Sequence, residues 1–123
     1  MTTWMAREIQ DTPAAVARLV DLGGPAIDEA ADRIVRYGPR WVTFVARGTS
    51  DHAATYGRYL VETMLGLPSG LAAPSVTTGY GASLRWDDRL PIAVSQSGRS
   101  PDLVAVTEAA RAAGALTIAL TNS

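Results

Sequence analysis

No cysteine occurs among the 123 residues, which excludes disulfides, thiolate metal sites and cysteine nucleophiles. There is one histidine, His52, so no cluster of histidines can hold a metal. An excess of charge is missing too: 11 basic side chains stand against 12 acidic ones, for a net charge of −1. Surfaces for nucleic acid or acidic membrane need a basic excess, so neither partner is expected. No apolar run is long enough to cross a bilayer, and the opening MTTWMAREIQDTP is polar where a signal peptide is apolar. The expectation is a soluble, cytoplasmic protein. Nucleotide signatures are also lacking. There is no G-x-x-x-x-G-K-[ST], and no G-x-G-x-x-G follows the first strand. A Ser-His-Asp set is not legible where a single histidine must carry it. No metal and no cofactor are expected.

What is present is an ordinary globular composition, 47% hydrophobic and 19% charged, in a chain of one-domain length. Thr12 and Pro13 read as a helix start, with Gly23-Gly24 as its stop. Pro25 opens a second helix, with Ala26, Ile27, Ala30, Ala31, Ile34 and Val35 on one face. The run WVTFVA, residues 41–46, is β-branched and continuously apolar, as in a parallel strand buried on both faces. After the loop RGTSD a helix is expected over residues 52–65, its inner stripe including Ala54, Tyr56, Gly57, Val61 and Met64. LPSGLAAPS is a weaker strand because of its proline and glycine, and LPIAVS is a second buried strand. Ser100, Pro101 and Asp102 suit the N-cap and first turn of an amphipathic helix, closed by Gly114 and followed by the strand ALTIALTN. Buried strands alternating with helices indicate an α/β fold with right-handed crossovers.

In a doubly wound sheet of order 2-1-3-4 the ligand sits where the order reverses, at the carboxyl ends of strands 1 and 3. Those strands end in RGTS and SQSGRS, the two loops richest in small hydroxyl residues. Each feeds a helix N-terminus, where free N–H groups and the dipole suit an anion. Either loop alone is more often an ordinary turn and cap; their coincidence at the reversal favours a small phosphorylated metabolite. Arg47 and Arg99 flank the loops, to meet phosphate or simply water. Glu62 either faces the sheet edge or is solvated, His52 is structural or exposed, and Tyr56, Tyr59 and Tyr80 are expected to pack.

Four segments carry a family resemblance: MAREIQDTP, ARGTSDHAATYGRYLVE, APSVTTGYG and AVSQSGRSPDLVAVTEAARAAGALTIALTN. The chain resembles the SIS (sugar isomerase) family of phosphosugar-binding domains, in particular the isomerase half of glucosamine-6-phosphate synthase and its glutaminase-free relatives. Arg99 stands where the synthase has an acidic residue, as in the glutaminase-free group. The resemblance implies a flavodoxin-like doubly wound parallel sheet, preceded by N-terminal helices over residues 1–38 and occupying 39–123, incomplete at its C-terminus. By match, Ser95, Gln96, Ser97 and Ser100 would contact the phosphate of a hexose 6-phosphate, with Ser50 and Thr49 from the first loop. The ligand class implied is fructose 6-phosphate or glucosamine 6-phosphate. The catalytic glutamate and histidine of such enzymes match nothing here, so this chain is expected to be the N-terminal part of an isomerase, deaminase or aminotransferase and inactive alone. The alternative is a sugar-phosphate sensor without catalysis. An incomplete sheet exposes a strand edge, so a homodimer or association with a second SIS domain is expected.

Overall fold

The computed structural model describes residues 3–122; residues 1–2 and 123, the outer ends of the two expected segments, lie outside it. The chain forms two compact units, residues 1–33 and 34–123.

The first unit holds helix α1, Trp4–Leu22, and most of α2, Gly24–Tyr37. α1 starts a full two turns before the Thr12-Pro13 signal and runs through Pro13. The cap is Thr3, whose hydroxyl accepts the Ala6 N–H at 3.2 Å. Thr12 turns its hydroxyl back to donate to the Glu8 carbonyl at 3.0 Å. Proline removes one backbone donor from a helix interior; nineteen residues of otherwise continuous helix absorb that loss.

The second unit is a four-stranded parallel sheet: β1 Trp41–Ala46, β2 Ser69–Leu71, β3 Arg89–Ser95 and β4 Ile118–Thr121, in the order β2-β1-β3-β4. β3 lies along the whole of β1, from Trp41 opposite Arg89 to Ala46 opposite Val94. β4 joins only from Ile92 onward, so Pro91, which has no N–H to give, precedes that pairing.

Alternation along β1 divides the core in two. Val42, Phe44 and Ala46 face a cluster with Leu90 and with Ala54 of α3 (Ser50–Leu60), against which Ile34 and Val61 pack. Val45 faces the other way, toward Ala93, Trp86 and the Leu103–Val106–Ala110 stripe of α5, Pro101–Ala112. Thus α3 covers one face and α5 the other. A short α4, Pro74–Thr78, lies against α5. Beyond α3 the chain widens into a π-helical turn, Val61–Leu65, that ends at Gly66.

The expected inner stripe of α3 is only partly inward. Ala54 is buried, and Gly57 approaches the Phe44 ring. Tyr56 and Met64 point outward, as do Tyr59 and Tyr80. A helix lying on a two-layer core offers a narrow stripe, and the small residues Ala54 and Gly57 fill it, leaving the tyrosines no room. The aromatics that enter the core are Phe44 of β1 and Trp86, 5% and 4% exposed, the latter from the segment between α4 and β3.

Candidate functional site

β1 leads through α3 to β2 on one side, and β3 through α5 to β4 on the other. The order reverses between adjacent strands β1 and β3, where a doubly wound sheet opens a crevice. Both following loops turn on a glycine in the left-handed region, Gly48 at φ 61° and Gly98 at φ 64°. That conformation is strained for any residue with a Cβ, so these two positions, two residues past β1 and three past β3, call for glycine.

In the first loop the Asp51 N–H donates to the Gly48 carbonyl and the His52 N–H to that of Thr49, both at 3.1 Å. Thr49 occupies the N-cap of α3, yet its hydroxyl makes no capping bond. Ser50 is the first helical residue, half-buried. The second loop is tied by its own serines. Ser95 Oγ accepts the Gly98 N–H at 3.1 Å, and Ser97 Oγ accepts the Arg99 N–H at 3.3 Å. The Gln96 carbonyl accepts from Asn122 N at 3.2 Å, pinning the loop to the end of β4, while its side chain is exposed. Ser100 sits at the N-cap of α5 with extended backbone, as anticipated. Its side chain makes no capping bond either, which departs from the ordinary N-cap role.

Two helix N-termini therefore meet at one reversal, each carrying a cap hydroxyl that is not spent on its own helix. Four N–H groups at each helix start lack partners within the helix. Such an end attracts an anion. The structure places Thr49 and Ser50 at one helix start and Ser95, Gln96, Ser97 and Ser100 between β3 and the other. Ser95 and Gly98 also line a recess of about 220 Å³ bounded by Leu103, Thr107, Ala119 and Thr121. It opens beside β4 rather than over β1.

Charge around the loops is balanced. Asp51 and Asp102 stand in the first turns of α3 and α5. Arg47, directly after β1, forms an ion pair with Asp102, Nη1 to Oδ2 at 2.9 Å. Neither the pairing nor its span across the two loops is legible from residue types alone, because its partners lie far apart in sequence. Arg99 forms no ion pair among the described residues. His52 is exposed on the first turn of α3.

Glu62 lies away from these loops, in the π-helical turn. Its carboxylate accepts from Ser69 Oγ at 2.7 Å, with Arg58 3.7 Å away. The Ser69 hydroxyl above all holds its pKa below the usual carboxylate value; desolvation pushes it up, and Arg58 helps to lower it. It does face the edge strand β2, as a brace between helix and sheet. Among the described residues no group of three or more His, Asp or Glu side chains gathers to hold a metal. No helix there is long and apolar enough to cross a membrane.

Comparison with known proteins bears on this geometry. The family model for the SIS domain matches residues 37–123. A glutamine–fructose-6-phosphate aminotransferase (isomerizing) of Symbiobacterium thermophilum is 34% identical over 97% of the chain, which spans 20% of that protein. Among solved structures, one from Silicibacter pomeroyi DSS-3, provisionally described as a phosphosugar isomerase, superposes with a TM-score of 0.89 at 49% identity, over 95% of this chain and 36% of that one. The sugar isomerase domain of an RpiR transcription factor from Sphaerobacter thermophilus matches with a TM-score of 0.69 at 26% identity, over 94% of this chain and 66% of that one. The chain thus spans about a fifth of its curated relatives and about a third of the Silicibacter protein.

Proposed function

Because the chain belongs to the SIS domain family, we propose that it is the sugar-phosphate-binding unit of an aldose/ketose isomerase or an amino-sugar-phosphate deaminase or aminotransferase acting on hexose 6-phosphates in the cytoplasm. Residues 1–38 form the helical lead-in and 39–123 the binding domain. The observation that carries the reading is the convergence of two helix N-termini whose cap hydroxyls, on Thr49 and Ser100, are left unengaged at the β1/β3 reversal. Ser95, Gln96, Ser97 and Ser100, with Ser50 and Thr49, supply short donors and N–H groups to a terminal phosphate. No cofactor is needed to bind such a group.

Catalysis is assigned to residues other than these. Proton transfer between sugar carbons needs a group within hydrogen-bond reach, and the cradle residues Thr49, Ser50, Ser95, Gln96, Ser97 and Ser100 offer hydroxyls and an amide rather than a carboxylate or imidazole. The chain therefore binds without turning over, alone, and completes its site with a second SIS domain or a second copy. A sensor is the alternative, favoured by the likeness to the domain of a transcription factor. It shares the phosphate cradle and differs in having no turnover in any assembly.

A competition titration tests the cradle. Fructose 6-phosphate and glucosamine 6-phosphate bind, inorganic phosphate displaces them, and free glucosamine and ATP do not. If glucosamine binds as tightly as its 6-phosphate, or if ATP displaces both, the phosphate reading is wrong.

A further inference from the structure

The N-terminus of α5 contains a chemical contradiction. Asp102 stands in its first turn, two residues past Ser100. A carboxylate there suits the helix dipole, but it also puts a negative charge beside the N–H groups assigned to phosphate. Asp51 does the same at α3. Two like charges close together disfavour one another by an amount that grows with the charge of the ligand. Phosphate esters carry nearly two charges at neutral pH, because their second pKa is about 6.

Arg47 resolves the contradiction. It leaves the end of β1 and meets Asp102 Oδ2, in the first turn of α5, at 2.9 Å. One partner follows β1 and the other opens the helix after β3, so the pair spans the reversal. Both side chains are partly solvated, 55% and 38% exposed. Pairs of that kind contribute little to folding stability, and a role in stability alone does not account for it. Guanidinium offers five donors in a fixed fork, so pairing one nitrogen with Asp102 does not exhaust it.

Building on the sugar-phosphate reading, we propose that Arg47 is a positioning residue for the anion. It neutralises Asp102 and ties the first loop to the second, and so lets the α5 N-terminus take a doubly charged phosphate rather than a singly charged group. Selectivity for a phosphate ester over a sulfate ester of the same sugar follows from this pair.

Calorimetry at pH 8 with glucose 6-phosphate and glucose 6-sulfate tests it, the two ligands differing in terminal charge at similar shape. Arg47→Ala is expected to weaken the phosphate roughly tenfold and the sulfate about threefold or less, since an uncompensated carboxylate acts in proportion to ligand charge. Asp102→Asn is expected to bind the phosphate at least as tightly as the parent chain. Adding Asp102→Asn to Arg47→Ala is expected to restore most of what was lost, which a purely mechanical tie between loops does not allow. The double variant carries neither charge, so it also reports if Arg47→Ala alone folds poorly by circular dichroism. Equal losses for both ligands, or a loss in Asp102→Asn as large as in Arg47→Ala, overturns the inference while the phosphate reading stands. Failure of the parent chain to bind either ligand overturns the phosphate reading and the inference with it.

Discussion

Replacing Ser95 with alanine separates the folding role of its hydroxyl from its binding role. Ser95 is the last residue of β3, paired with Thr121 of β4. Its Oγ accepts the Gly98 N–H at 3.1 Å, so the oxygen closes the turn and the hydroxyl proton remains to point at an anion. Alanine removes both. The turn bond joins neutral groups and is worth about 0.5–1.5 kcal/mol net, whereas a bond to a charged phosphate is worth about 1.5–3 kcal/mol. The first loss appears as a small fall in unfolding midpoint. The second appears as weaker binding by about tenfold or more. Ser95→Thr keeps the hydroxyl and suits a strand, so it is expected to bind within about threefold of the parent. Titration calorimetry with fructose 6-phosphate at fixed ionic strength, beside urea unfolding of the same variants, reads both quantities. Unchanged affinity in Ser95→Ala removes this serine from the site. Equal losses of affinity in the alanine and threonine variants mean that packing at the strand end, and not the hydroxyl, governs binding.

Thr43 is 6% exposed on β1 and its Oγ1 meets no hydrogen-bond partner. An unmade buried bond costs about 1–3 kcal/mol, so the near-isosteric Thr43→Val is expected to raise the melting temperature; a fall means the hydroxyl is satisfied in solution. A Cβ on Gly57 would stand 2.8 Å from Cε1 and Cζ of Phe44. Overpacking of that kind costs about 1–3 kcal/mol, more than the roughly 1 kcal/mol helix gain from glycine to alanine. Gly57→Ala is therefore expected to melt lower, and a higher melting temperature would show that α3 rides freely on the sheet. Ser69 and Arg58 lower the Glu62 pKa in the folded chain, so the unfolded chain takes up the proton first. The stability this carboxylate adds is present above its ordinary pKa and drains as pH falls through the lowered folded value. In acid unfolding the gap between the parent and Glu62→Gln should thus close below about pH 4; a gap that is constant with pH assigns no linkage to this group.

The parts of the fold written in continuous apolar runs were legible. WVTFVA and LPIAVS become β1 and β3, the order 2-1-3-4 follows, and Pro101 to Gly114 marks α5 and its end. Features set by tertiary packing were not. The burial of Trp86 depends on Leu103 and Val106 of the same cluster, which lie elsewhere in the chain. Tyr56 falls at helical spacing with buried Ala54 yet points outward, since spacing fixes a face and not how deep that face sinks. Thr12-Pro13 carries a strong local start signal that the earlier cap at Thr3 overrides. At the site, the two loops and their hydroxyls were legible from composition. The idle caps on Thr49 and Ser100 were not, and neither was the reach of Arg47 to Asp102, because both depend on how β1 and β3 lie side by side.

That side-by-side placement also sets when the site comes into being. Trp41 pairs with Arg89 and Ala46 with Val94, so the two loops meet only after the chain has closed the long excursion through α3, β2 and α4. Contacts of such separation pay loop-closure entropy before they return anything, and they slow folding accordingly. Neither half-site can form early on its own helix. Under the proposed reading, recognition is a late property of the folding reaction, and a ligand that needs both loops selects the finished register. It thereby adds its binding free energy to the native state alone.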